Sequence, residues 1–245
     1  MKKVLFVLFT VFIIVSFSGC ILLNINGSDF NSVRGKGDPQ KFEIRVGAYN
    51  GIRIEGFCNI NYYAAPSNTV TLEIQPNLRE YFIIEVEGGD LVVRTTRRIS
   101  YNSGKVPVLT VSAPVLNRVN IDGGGNFTAH DKIISDSLSF TINGAVKGIA
   151  ELDVNSTTVS LSGAGKMDLS GRSDTADFIL SGAGELNALS LQTRDAKVKL
   201  SGAGKISLSC SDNLAVNAEG AGSVEYRGSP SVNMNTSGLV SIKKL

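Results

Sequence analysis

Along residues 117–245 apolar and polar positions alternate with period two, and glycine interrupts the alternation at near-regular intervals. Seven segments carry the pattern: IDGGGNF, INGAVKG, LSGAGKM, LSGAGEL, LSGAGKI, AEGAGSV and TSGLVSI. Their first glycines fall at positions 123, 144, 163, 182, 202, 220 and 238, which sets a unit of 18 to 21 residues. Two positions before that glycine stand Ile121, Ile142, Leu161, Leu180, Leu200, Ala218 and Thr236. Four before it stand Val119, Phe140, Val159, Phe178, Val198, Val216 and Met234. A period of two sends alternate side chains to opposite faces of a strand, whereas a helix would bring them round every 3.6 residues.

Each unit reads as strand, Gly-small-Gly corner, strand, and a polar stretch with a third short strand such as Leu189-Ser190-Leu191 or Leu208-Ser209-Cys210. Glycine suits the corner because it accepts positive φ and leaves room for a neighbouring backbone. Three short strands in about 20 residues make one coil of a β-solenoid, in which each strand pairs in parallel with its counterpart one unit later. Propeller blades need about 40–45 residues per repeat, and hairpin arrays favour Asn-Gly-type turns. The two apolar columns above are therefore expected to face inward. So are Phe127, Met167, Leu186, Ile206, Val224 and Ile242, four positions after the glycine, with Ile149 taking that place in a shifted second unit.

Residues 41–115 show the same alternation less regularly, in Phe42-Glu-Ile44-Arg-Val46, Val70-Thr-Leu72-Glu-Ile74 and Val108-Leu-Thr-Val111. Ile52-x-Ile54-x-Gly56 reproduces the spacing of Val119-x-Ile121-x-Gly123 and predicts a degenerate opening coil. The nine Phe and Tyr of residues 30–101, against four in residues 117–245, predict a bulkier core in this first lobe.

The chain opens MKKVLFVLFTVFIIVSFSGC. Lys2 and Lys3 precede an apolar run from Val4 to Phe17 that is short for a bilayer span, which needs about 20 residues. A signal peptide fits. The ending FSGC resembles the lipobox of bacterial lipoproteins, with Phe17 where an aliphatic residue is usual, and it implies lipidation at Cys20. Acyl chains contribute ~0.8 kcal/mol per buried CH₂, so two or three anchor a protein stably. Loss of residues 1–19 removes Lys2 and Lys3 and no acid. The net charge of +2 thus belongs to the leader, and the rest of the chain is neutral. Such a balance gives no case for nucleic acid, which needs a basic face. Cys58 and Cys210 could pair in an exported protein, but each lies in its own strand-like run, and two separate buried thiols are expected.

SGAG units behind a strand-rich lobe and a lipoprotein-like leader resemble the family named putative auto-transporter adhesin, head GIN domain, from about Phe42 to Leu245. The resemblance implies a bacterial envelope protein with a right-handed parallel β-helix, and its name suggests adhesion. The chain shows no translocator barrel, so direct self-translocation is not expected. The expected architecture is all-β, with a signal peptide over 1–19, a lipidated tether over 20–40, an irregular β-rich lobe over 41–116 and the SGAG-repeat β-helix over 117–245.

β-Helices also carry polysaccharide-cleaving enzymes, and fold alone does not decide function. Glycosidic cleavage needs a carboxylate pair at fixed separation. Here the residue after each GAG is Lys166, Glu185, Lys205 and Ser223, an alternation that predicts ion pairs between coils on a solvated face. Asp168 is followed one unit later by Asn187, then Ser207, then Glu225, too few acids for a calcium cage of six to eight oxygens. His130 and Asp131 are adjacent in a strand-like run and point to opposite faces. No catalytic residue, cofactor or metal site is expected. The segment Arg94 to Lys105 interrupts the strands with four cations, a tyrosine and no acid. Such loops on rigid scaffolds carry binding, which makes Arg97, Arg98, Tyr101 and Lys105 candidate contacts for an anionic glycan or a partner protein. The expected role is display of a binding or adhesive surface from a lipid anchor in the cell envelope (the outer membrane where there is one, otherwise the cell membrane). The partners are the membrane and a glycan, or an envelope or host protein. A polysaccharide-processing enzyme and an envelope spacer are the alternatives.

Overall fold

A computed structural model of the chain describes residues 32–101 and 105–245. The segment Val33–Leu245 is one compact unit. It begins with β1 (Val33–Arg34), β2 (Gln40–Glu43), β3 (Gly51–Phe57), β4 (Asn59–Ala64) and β5 (Thr69–Ile74). A 3₁₀ turn over Pro76–Tyr81 leads to β6 (Phe82–Glu87), β7 (Asp90–Thr95), β8 (Ile99–Ser100) and β9 (Val108–Ala113). The repeat follows as β10 (Arg118–Ala129), β11 (Ile133–Gly163), β12 (Lys166–Gly182), β13 (Glu185–Gly202) and β14 (Lys205–Gly220). It ends with β15 (Ser223–Arg227), β16 (Ser231–Gly238) and β17 (Ser241–Lys244).

β10 through β17 stack in parallel, and the register follows the glycine spacing. Val119 pairs with Phe140, Val159 with Phe178, Phe178 with Val198, and Val198 with Val216. The fold is thus a parallel β-solenoid. Both columns before the glycine are buried as far as Val216 and Ala218, and Phe127 meets Phe140 edge-on at 5.5 Å. At the last coil the column opens, and Met234 is 51% exposed.

Backbone pairing runs straight through the corners. Ala183 N–H donates to Gly163 O at 3.0 Å, and Glu185 N–H donates to Gly165 O at 2.9 Å. The two glycines of a corner serve different needs. Gly182 holds φ at 122°, and a Cβ there would lie 2.5 Å from Gly163 O. Gly184 has an ordinary φ, yet a Cβ there would lie 2.7 Å from Gly165 O. The first glycine supplies conformation and clearance, the second clearance alone.

The second unit departs from expectation. Its inward position is Gly148, which pairs with Phe127 on one side and Met167 on the other. The Met167 sulfur fills the space, 2.1 Å from where a Gly148 Cβ would stand. Ile149 faces out and is 57% exposed, because the register is held by the corner hydrogen bonds and cannot slip to bury it.

The first lobe completes the stack. β3 pairs in parallel with β10, Ile52 with Val119 and Gly56 with Gly123, as the degenerate coil requires, and β4 continues it, Ile60 with Phe127. A further coil lies beyond it, built from β7 against β3 and β9 against β4. Antiparallel strands then close that side: β6 on β7, β5 on β9, and β2 on β5. The stretch from Val33, read from sequence as the end of a tether, joins this unit through β1, which pairs in parallel with β8.

Replacing Gly182 by Val should lower the melting temperature more than replacing the exposed Ile149 by Thr. The first change combines a strained φ with a backbone clash, which costs about 3 kcal/mol or more. The second should stay within about 0.5 kcal/mol. Circular dichroism melts of the two variants check the ordering.

Candidate binding surface

The loop after β7 is tied down more than its composition suggests. Arg94 donates to Glu87 at 2.8 Å and also pairs with Glu85, and the ion pair holds the Glu87 carboxyl below the usual carboxylate range. Lys105 Nζ donates to Asp38 Oδ1 at 2.9 Å and to Gly37 O at 3.1 Å, which clasps the entering chain to this loop. Tyr101 is half-buried, its ring 6.5 Å from that of Phe57, and burial raises its pKa. Arg97 and Arg98 are exposed. Of the four residues singled out in the sequence, Arg98 and Tyr101 meet, at a cleft of 210 Å³ lined also by Phe57, Cys58 and Phe82. Arg97 stands clear of it, and Lys105 is engaged in the clasp. Cys20 and the leader lie outside the described residues.

Polar side chains on several outward rows are satisfied by the neighbouring coil. Lys166 pairs with Glu185 at 3.3 Å and Lys205 with Glu225 at 2.9 Å, which lowers the Glu225 pKa. Asn187 donates to Asp168 at 3.0 Å, Asn143 to Asp122 at 2.6 Å and Asn213 to Asp195 at 2.6 Å. His130 stacks on Tyr63 at 4.6 Å and bonds Asn61 at 3.0 Å, while Asp131 accepts from Ala64 N–H at 3.1 Å, so the two do not form a pair.

One face differs. Three and five positions before the corner glycine, side chains point outward between the buried columns. One column runs Thr158, Asp177, Lys197, Ala215, Asn233, each paired with the next across the coils. The other runs Ser160, Ile179, Lys199, Asn217, Asn235 in the same way. None of their polar side chains makes a hydrogen bond or ion pair with the described residues, and a shallow groove of 440 Å³ runs over all of them but Ser160. The columns were legible in the sequence as the polar half of the alternation. Their lack of internal partners was not, because pairing depends on side-chain reach across coils.

Cys58 and Cys210 are both free and buried. Burial pushes the Cys58 thiol up to about 12, and burial also raises Cys210. Among the described residues no three His, Cys, Asp or Glu side chains gather as a metal site.

Residues 48–230 match the family model described as putative auto-transporter adhesin, head GIN domain. Solved structures share the fold. A putative adhesin from Bacteroides fragilis superposes with a TM-score of 0.82 at 19% identity, covering 87% of this chain and 100% of that one. A putative lipid binding protein from Parabacteroides distasonis gives 0.70 at 23%, covering 87% and 99%. A putative adhesin from Parabacteroides merdae gives 0.63 at 20%, covering 88% and 99%. No curated protein matches the chain.

Folding keeps Cys58 protonated where an unfolded chain would ionise, so its contribution is complete below pH 9 and is lost as pH climbs towards 12. Wild type should therefore lose stability between pH 9 and pH 11 more steeply than Cys58→Ala, and neither thiol should react with a maleimide at pH 8 until the chain unfolds. Thermal melts against pH and thiol labelling across a urea series check this. Replacing Tyr101 by Ala should cost about 2 kcal/mol through lost packing, and Arg97→Ala under about 0.5 kcal/mol.

Proposed function

The chain belongs to the family described as putative auto-transporter adhesin, head GIN domain, and from that premise we propose that it is a non-catalytic display protein of the cell envelope. Lipid on Cys20 would hold it at a membrane, and residues 21–31 would act as the tether. The solenoid would present its outward face to a glycan or a partner protein. The observation that carries this reading is the unpartnered face, eight polar side chains among ten positions in two columns, set against rows elsewhere whose side chains pair across coils. Side chains that neither stabilise the coil stack nor bury surface are available for contact. The parallel sheet fixes their backbone positions, so binding orders side chains and not the backbone.

The cleft beside Phe57 favours a second contact. Its walls are aromatic, and Arg98 stands at its rim. One Parabacteroides distasonis neighbour is called a putative lipid binding protein, and an apolar group bearing an anion would suit this cleft. In this reading Arg98 and Tyr101 make the contact, while Lys105 holds the loop and Arg97 stands outside the cleft.

Two measurements test the proposal. Cys20→Ser should move the protein from the membrane fraction to the soluble fraction. Passed over arrays of envelope and host glycans and proteins, the chain should be retained without releasing shortened products. Depolymerised product would make it an enzyme, and no retention anywhere would make it a spacer.

A further inference from the structure

We propose that the face formed by the two unpartnered columns binds an extended, carboxylate-bearing polysaccharide lying along the solenoid axis, one sugar to each coil. This rests on the display reading and names the ligand class for that face. The argument begins with spacing. Neighbouring strands lie ~4.8 Å apart, and a ribbon-like β-1,4-linked chain advances by about 5 Å per sugar, so successive sugars meet the same two positions in successive coils. The groove follows that direction, crossing β11, β12, β13, β14 and β16.

Chemistry agrees with the spacing. Asn217, Asn233 and Asn235 each offer an acceptor and two donors, the set that vicinal hydroxyls require. Ile179, at the middle of the groove, stands outward among polar neighbours. With the stems of Lys197 and Lys199 it gives an apolar strip for the C–H face of a pyranose ring. Those two lysines outnumber Asp177, the one acid on the groove, and neither is neutralised by an ion pair within the described residues. Lys166 and Lys205, which follow their corners, are by contrast taken up by Glu185 and Glu225. The free positive charge on this side of the coil therefore selects a ligand with carboxylates over a neutral one.

Titration calorimetry of the acylated full chain in detergent, with β-1,4-oligomannuronates of two to six units, tests the assignment. Affinity should rise about threefold with each added sugar up to five and then level off. The matching cello-oligosaccharides should bind at least about tenfold more weakly, and added salt should weaken the mannuronates. The Lys197→Gln, Lys199→Gln double variant should lose at least about tenfold for the mannuronates with its melting temperature unchanged, since neither side chain has a bonded partner to lose and no like charge is set beside Asp177. Affinity independent of length, equal binding of the neutral series, or an unaffected double variant would overturn the proposal. If no oligosaccharide binds while the chain is still retained on an arrayed protein, this assignment fails and the display reading stands; if nothing on either array retains it, both fail.

Discussion

Backbone pairing that does not stop at the corners is the constraint on which the rest of this molecule depends. A coil must turn sharply between its first two strands, yet the turn stays hydrogen-bonded to the coil before it, as Ala183 to Gly163 and Ala203 to Gly182 show. That brings carbonyl oxygens to within 2.4–2.7 Å of where a side chain would begin at Gly163, Gly182, Gly184, Gly202 and Gly204. Once those atoms are in place the register is set. Every apolar column falls inside and every alternate column outside. Ile149 illustrates the strength of the constraint: an exposed isoleucine and a glycine in the core are tolerated, and Met167 bends into the gap, while the ladder does not shift.

Much of this was legible in residue order. Glycine positions, the two columns before them and the match of Ile52-x-Ile54-x-Gly56 to the first unit follow from local steric needs, and the sequence displays those needs directly. What stayed hidden depends on contacts between distant residues. The coil made by β7 and β9 comes from segments interrupted by the 94–105 loop, so no repeat marks it. The ties that hold the basic loop were hidden because its partners, Glu85, Glu87 and Asp38, lie outside it. Pairing between coils could be read at Lys166 and Glu185, where signs alternate, but at Asp177 and Lys197 the same alternation leaves the two side chains without an ion pair, which only the structure shows.

The contrast between faces has a physical logic. A cross-coil pair between exposed groups contributes about 0.2–1 kcal/mol, so satisfied rows add modestly to a stack already held by its columns and ladder. Leaving Lys197, Lys199 and three asparagines unsatisfied forgoes little stability. A surface of this kind can vary its chemistry without disturbing the scaffold, which suits a fold shared by chains that are only 19–23% identical to this one.

Chain order and stacking order disagree in the first lobe. β3 and β4 come first in the chain, yet the coil outside them is made by β7 and β9, which follow. A chain emerging from the N-terminus therefore cannot lay down coils one upon another from the start. It must close loops of tens of residues before the floor of the stack exists, which is slow compared with local pairing. Later units add by contact with the unit just before them and need only nearest neighbours. Closing the first lobe is thus the non-local part of assembly, while each unit towards Leu245 needs only the unit beside it.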